Sequence, residues 1–417
     1  MTAVIPPPAA PRQSRAMRIE PYRVLFPIGA AFALYGALLW PIHAAGWIPY
    51  PGPAHRALMI QGFELSFVAG FVLTALSGLT HGGRFHPAEL VLATTGVALF
   101  GVGTAAGAMA MAQAGFLLAV LVLITAAGRR SAPGRGGPPE EIVFILLGLA
   151  QGLTGGAMLL GQAAGWWNEP VPGIGLRLVS LGMVLSLVIG VGSLLVPTFI
   201  GVRDPLSLPR IASPHERRGR RAFYLAVALL LVASFVAEGL LHRTLAAWLR
   251  AIAVTPMLFL AWKIHRRPGR RALHAYVLWS AGWGVLAGLW LTALSPLRLL
   301  AGEHLVFIAG FGLLTMGIAT RVVTVHGGNP LAVERRVLGV WQVALLVLAL
   351  ASRLGAEFAP AGTTPLLAAS GALWALAWLA WAWRAVPLIL AWPPVAPTQR
   401  STSRPLDIAW TATPRAG

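Results

Sequence analysis

Apolar runs of roughly 18–25 residues recur along this chain, separated by short polar or Gly- and Pro-bearing hinges. A helix of ~20 apolar residues is long enough to cross the ~30 Å hydrocarbon core of a bilayer. The pattern predicts twelve spans, at about 24–48, 57–80, 88–110, 113–128, 141–163, 175–200, 222–241, 245–264, 272–294, 303–325, 337–356 and 364–391. The third and fourth, and the seventh and eighth, are divided by the shortest hinges. Residues 1–18 and 393–417 are rich in Pro, Ala, Ser and Thr and read as disordered tails, which leaves one transmembrane domain over 19–392. The first apolar run, near Val24, follows a basic, Pro-rich stretch with no A-x-A-like site. It reads as a retained span and not a cleaved signal peptide. The expected fold is all-α, a polytopic helical bundle.

Basic residues fall in every second hinge. With the N-terminus inside, the cytoplasmic segments hold 26 of the 32 Lys and Arg, and the outer side keeps Arg56, Arg177, Arg243, Arg250, Arg298 and Arg353. Basic loops stay cytoplasmic, so the bias predicts an even span count with both termini inside. The expected home is a cytoplasmic membrane.

Composition narrows the partners. Charged residues are only 11% of the 417 and hydrophobic residues 57%. A soluble domain carries roughly 25% charged residues. The net charge of +19 sits in short loops beside lipid, so it speaks for membrane orientation and against nucleic acid. With no Cys, the chain has no disulfide, thiolate metal site or iron–sulfur cluster.

Few side chains inside the spans carry chemistry. All ten His lie near span ends or in loops. His43, His55, His242 and His304 fall near the predicted outer face, and His81, His86, His265, His274 and His326 near the inner face, with His215 in a loop. Those in basic loops (His81, His86, His215 and His265) read as interfacial. His55, His274 and His304 open long apolar spans, where an imidazole is either a ligand for iron or copper or an ordinary helix-end side chain. Glu64 lies within the second span and Glu238 near the outer end of the seventh. Such acids are paired, protonated or lining a polar cavity. Glu64 therefore reads either as part of a proton or solute path or as a carboxyl bonded to a neighbouring helix.

Other signals are structural. The run Gly101–Gly107 lies in an apolar span, where small residues permit close helix packing. The 16 Trp mostly lie near span ends and read as an interfacial belt. Pro27, Pro41, Pro197, Pro256 and Pro387 mark kinks or ends. No sharp internal repeat is visible, and no Walker, Ser-His-Asp or HExxH pattern occurs.

Two segments resemble a known family. One runs from His55-Arg-Ala-Leu-Met59-Ile-Gln-Gly62-Phe63 to Ala69-Gly-Phe-Val-Leu-Thr-Ala75. The other runs from His304-Leu-Val-Phe-Ile-Ala-Gly310-Phe through Thr315-Met316 to Arg321-Val-Val-Thr-Val-His326-Gly-Gly. Both are similar to signatures of the NnrS family, as are Val196-Pro-Thr-Phe and His274-Ala-Tyr276-Val-Leu-Trp279 more weakly. The resemblance covers almost the whole chain. It implies a haem- and copper-containing bacterial membrane protein linked to nitric oxide and to tolerance of nitrosative stress, with no settled reaction. It implies His55, His304, His274 and His326 as ligand candidates. Arg321 would balance a haem propionate or fix the turn that carries His326. Where the family commonly shows His-x-His-Glu-Met, this chain has His55, Ala57, Leu58 and Met59. Loss of the second His and the Glu implies that one of the two cofactors is bound differently or not at all. Likewise, Val325 stands where the family has Gly before His326. Two other classes remain open: a transporter or channel for a small solute with Glu64 in its path, and a quinol- or oxygen-reacting haem enzyme. The sequence names no electron donor.

Overall fold

A computed structural model of the chain describes residues 19–80, 83, 85–130, 139–167, 171–202, 214–240 and 242–391. Both predicted tails lie outside the described residues, as do His81 and most of the loops 131–139 and 203–213.

Eleven helices are long and apolar enough to cross a bilayer. They are α1 (Pro21–Ala44), α2 (Gly52–Leu76), α3 (Pro87–Ala105), α4 (Met109–Arg130), α5 (Ile142–Ala163), α6 (Gly173–Phe199), α7 (His215–Leu240), α8 (Arg243–Ala261), α9 (Leu273–Leu294), α10 (Pro296–His326) and α12 (Thr363–Leu390). The remaining span, α11 (Val340–Gly355), is continued by Leu331–Val337 across a 46° bend at Leu338 and Gly339. The protein is thus a multi-pass helical membrane protein. The end of the bundle at which α1 begins is called proximal below, and the opposite end distal.

Two expected ends move, each for a local reason. Helix α3 stops at Ala105 and not near 110, because Gly107 adopts φ +71 and closes the turn into α4. Helix α7 starts at His215 and not near 222. Its first turns carry Arg217, Arg218, Arg220 and Arg221, which keep the helix going beyond the apolar stretch that hydropathy detects. All five singled-out prolines lie inside helices, with Pro256 at the C-terminal residue of a regular segment of α8.

Burial follows a period of four helices. In the most apolar stretches of α2, α6 and α10, 83%, 94% and 83% of residues are buried, against 33–56% in the other eight continuous spans. These three form the centre, where parts of α2 touch both α6 and α10. Around them run α12 against α1, then α3–α4–α5, then α7–α8–α9. Close approach in this outer layer needs small residues. A Cβ at Gly103 would sit 2.5 Å from the Ala112 backbone nitrogen, and one at Gly115 would sit 2.6 Å from the Gly96 carbonyl oxygen. The glycine-rich part of α3 is therefore a packing face.

The tryptophans divide, contrary to a simple belt. Trp47, Trp166 and Trp383 are exposed, but Trp374, Trp378 and Trp381 are buried. The three recur at helical spacing on α12 and pack edge-on or tilted against Phe63 and Phe67 of α2. Trp381 Nε1 finds the Thr320 hydroxyl at 3.0 Å, which satisfies the polar handle of a buried indole.

Each central helix also carries a stretch of wider, π-type turn: Leu58–Glu64 in α2, Leu178–Met183 in α6 and Leu305–Gly312 in α10. A fourth, Met257–Ala261, ends α8. Such turns are rare and recur at functional sites.

Candidate functional site

The sequence-predicted residues separate into three places. His55 and His304 lie at the distal end, Glu64 lies mid-bundle, and His274, Arg321 and His326 lie at the proximal end.

At the distal end, His55 and His304 flank the π-type turns of α2 and α10. His55 stands three residues before Leu58, and His304 directly before Leu305. The first turns of α10, which end in His304, pack against α11, which carries Arg353. Each ring is oriented by its Nδ1, which donates to a backbone carbonyl: His55 to Gly36 of α1 at 2.9 Å, and His304 to Leu300 at 2.8 Å. Among the described residues, neither Nε2 has a hydrogen-bond partner. A metal-ligating His characteristically ties one ring nitrogen to a carbonyl and leaves the other for the metal. Both histidines have that form.

Their surroundings include residues that the sequence left without a role. Trp40 packs edge-on against His55, His43 and Tyr50. His43 donates from Nδ1 to the Ile48 carbonyl at 3.0 Å. The spacing Trp40-x-x-His43, one helical turn, was the available signal. Beside His304, Glu303 accepts from Arg177, and Arg177 also meets Glu238 at 2.8 Å, while Glu238 takes Arg250 as a second partner. This four-residue network links α6, α7, α8 and α10. Of the three readings open to Glu238, the structure shows pairing, and with two arginines.

The proximal set is arranged differently. His274 is buried with both ring nitrogens engaged. Its Nε2 donates to the Gly317 carbonyl at 3.0 Å, and its Nδ1 accepts from Arg321 Nη2 at 3.3 Å. Arg321 also pairs with Glu334 and stacks on Phe199. His274 thus has no free lone pair here, and the Arg321 charge is matched by a carboxylate of the protein. His326 Nδ1 faces Glu20 at 3.3 Å, beside the Tyr22 ring, tying α10 to the start of α1.

Glu64 is buried, with its Oε2 accepting from the Thr315 hydroxyl of α10 at 3.1 Å. It is bonded to a neighbouring helix, one of the two readings its position allowed.

Two ligand requirements can be compared with this geometry. A haem brings four equatorial nitrogens and needs one or two axial imidazoles. The donor set of His55 and His304 fits that need. A copper centre built from several protein ligands has no such fit, because among the described residues no group of three His, Asp or Glu converges to hold a metal.

A polytopic helical bundle with oriented imidazoles at one end of its central helices is the class that fold and site define. The model of the NnrS protein family matches residues 16–392, nearly the whole chain. The chain belongs to the NnrS family, and membership supports, at the level of the family, a role in the nitric oxide response. No curated protein and no solved structure matches it.

Proposed function

We propose that this protein is a haem-binding component of the nitric oxide response, resident in the bacterial cytoplasmic membrane, with His55 and His304 as the haem ligands. The observation that carries the reading is the shared form of these two rings, each anchored through Nδ1 and open at Nε2. Haem, when bound, would supply the iron chemistry of that response. The chain supplies the rest. The Gly36 and Leu300 carbonyls fix each imidazole's tautomer and angle. Trp40 stands edge-on to the His55 ring and Phe307 edge-on to the His304 ring. Copper is no part of this proposal.

His55→Ala and His304→Ala should each lower haem content, read from the reduced absorption spectrum, in protein that inserts normally. Glycine at either position should regain the spectrum when imidazole is added. A strain lacking the protein should grow poorly under nitric oxide at low oxygen and be rescued by wild type but not by His304→Ala. Unchanged haem content in both single variants would overturn the assignment.

A further inference from the structure

Between the three central helices lies a pocket of about 60 Å³, bounded by α2, α6 and α10 and, at one edge, by Phe26 of α1. Its walls are apolar over about two turns of each helix, with Phe67, Val188 and Ile318 as examples, and its polar members are Glu64 and Thr315. Glu64 is 5% exposed, and Thr315 occupies only its Oε2. Among the described residues, Oε1 has no hydrogen-bond partner and no cationic side chain pairs with Glu64. A carboxyl oxygen is therefore left facing an otherwise apolar space.

Size and lining select the guest. One water needs roughly 10–15 Å³ and two to four polar partners. The pocket has several times that volume but offers hydrogen-bonding groups only at the Glu64 end. Water has a place there and almost nowhere else in it. Drug-sized solutes occupy sites of roughly 300–1,000 Å³, so organic substrates and quinones do not fit. Apolar cavities that stay dry take apolar guests such as xenon. The pocket is partly open and not sealed, so such a guest has a way in.

We propose that the pocket between α2, α6 and α10 is a binding site for a small apolar diatomic gas, with the Glu64 carboxyl at its one polar end. Glu64 lies nine residues beyond His55 on α2, and Thr315 eleven beyond His304 on α10. At ~1.5 Å per residue the pocket is about 14–17 Å along the same two helices from the imidazoles. Naming the gas as nitric oxide rests on the function proposed above, whereas the pocket's preference for an apolar guest does not.

Crystals of the detergent-purified protein pressurised with xenon test this directly. Wild type should show an anomalous xenon peak between Val188 and Ile318. Glu64→Gln should keep it, because the walls hold the atom. Ala319→Phe, which fills the pocket, should abolish it. Val191→Phe provides a second filling variant should Ala319→Phe fail to accumulate. A wild-type pocket without xenon, a pocket filled by ordered waters, or a peak that survives filling would each overturn the proposal. Xenon binding in a protein that purifies without haem and cannot be loaded with it would uphold the pocket and overturn the function above.

Discussion

Arg177 and Glu303 form an ion pair that joins α6 to α10 across 126 residues of sequence. Glu303 precedes His304, so the pair holds the turn that presents this imidazole. The Arg177 side chain is 20% exposed and that of Glu303 10%. Removing one partner of a buried pair leaves an uncompensated charge and costs roughly 3–5 kcal/mol. Arg177→Ala should fall at the lower end, about 3 kcal/mol, because its site retains some solvent. The midpoint of thermal unfolding in detergent should drop accordingly, and Glu303→Gln should lower it too. Wild-type melting of both variants would show that the network contributes nothing to stability.

His274 should behave as a structural residue. Its truncation leaves the Gly317 carbonyl and one Arg321 donor without partners, and an unsatisfied buried polar group costs about 1–3 kcal/mol. His274→Ala should therefore melt earlier than wild type while keeping its haem content. A loss of haem with unchanged melting would return His274 to the ligand set.

Two glycines on one helix should respond oppositely to a large side chain. Gly115 of α4 faces the backbone of α3, whereas a Cβ at Gly128 meets nothing within 4 Å. Gly115→Leu should abolish membrane accumulation of a fluorescently tagged protein, and Gly128→Leu should leave it near the wild-type level. Equal accumulation of the two would remove close α3–α4 packing as a requirement for folding.

Topology follows from charge. Reporter fusions after residues 135, 215, 268 and 331 should read cytoplasmic, and those after 169 and 298 periplasmic. The distal basic residues strengthen the expectation. Arg177, Arg250, Arg298 and Arg353 are held by acids, aromatic rings or carbonyls of the bundle, which leaves Arg56 and Arg243 as the exposed distal pair. Two or more fusions reporting the opposite side would reject this orientation.

The spans were legible in the sequence because the hydrocarbon core enforces their length and their lack of charge. Which spans are central was not. Lipid tails and protein interior are equally apolar, so hydropathy cannot tell a lipid-facing Leu from a buried one. Nothing in their composition alone separated α2, α6 and α10 from the rest. Trp378 shows the same ambiguity, being apolar enough for the core and amphipathic enough for the interface. Among the candidate ligands, sequence position brought out His55, His274 and His304 alike. Their difference lies in backbone carbonyls, Gly36 for one and Gly317 for another, which carry no residue-specific signal. Glu303 escaped notice because its partners, Arg177 and through it Glu238, are distant in sequence.

The bond between Thr315 and Glu64 also sets a condition on how the protein is made. The two residues are 251 positions apart, and ribosomes add about 5–20 residues per second. Glu64 is thus synthesised roughly 13–50 s before the hydroxyl that will meet it. During that interval α2 holds a carboxyl without its eventual partner, so the nascent chain must shelter this helix in the translocation machinery or against early neighbours until α10 emerges. Chains truncated before α10 never leave that state, and membrane quality-control proteases should find them by α2.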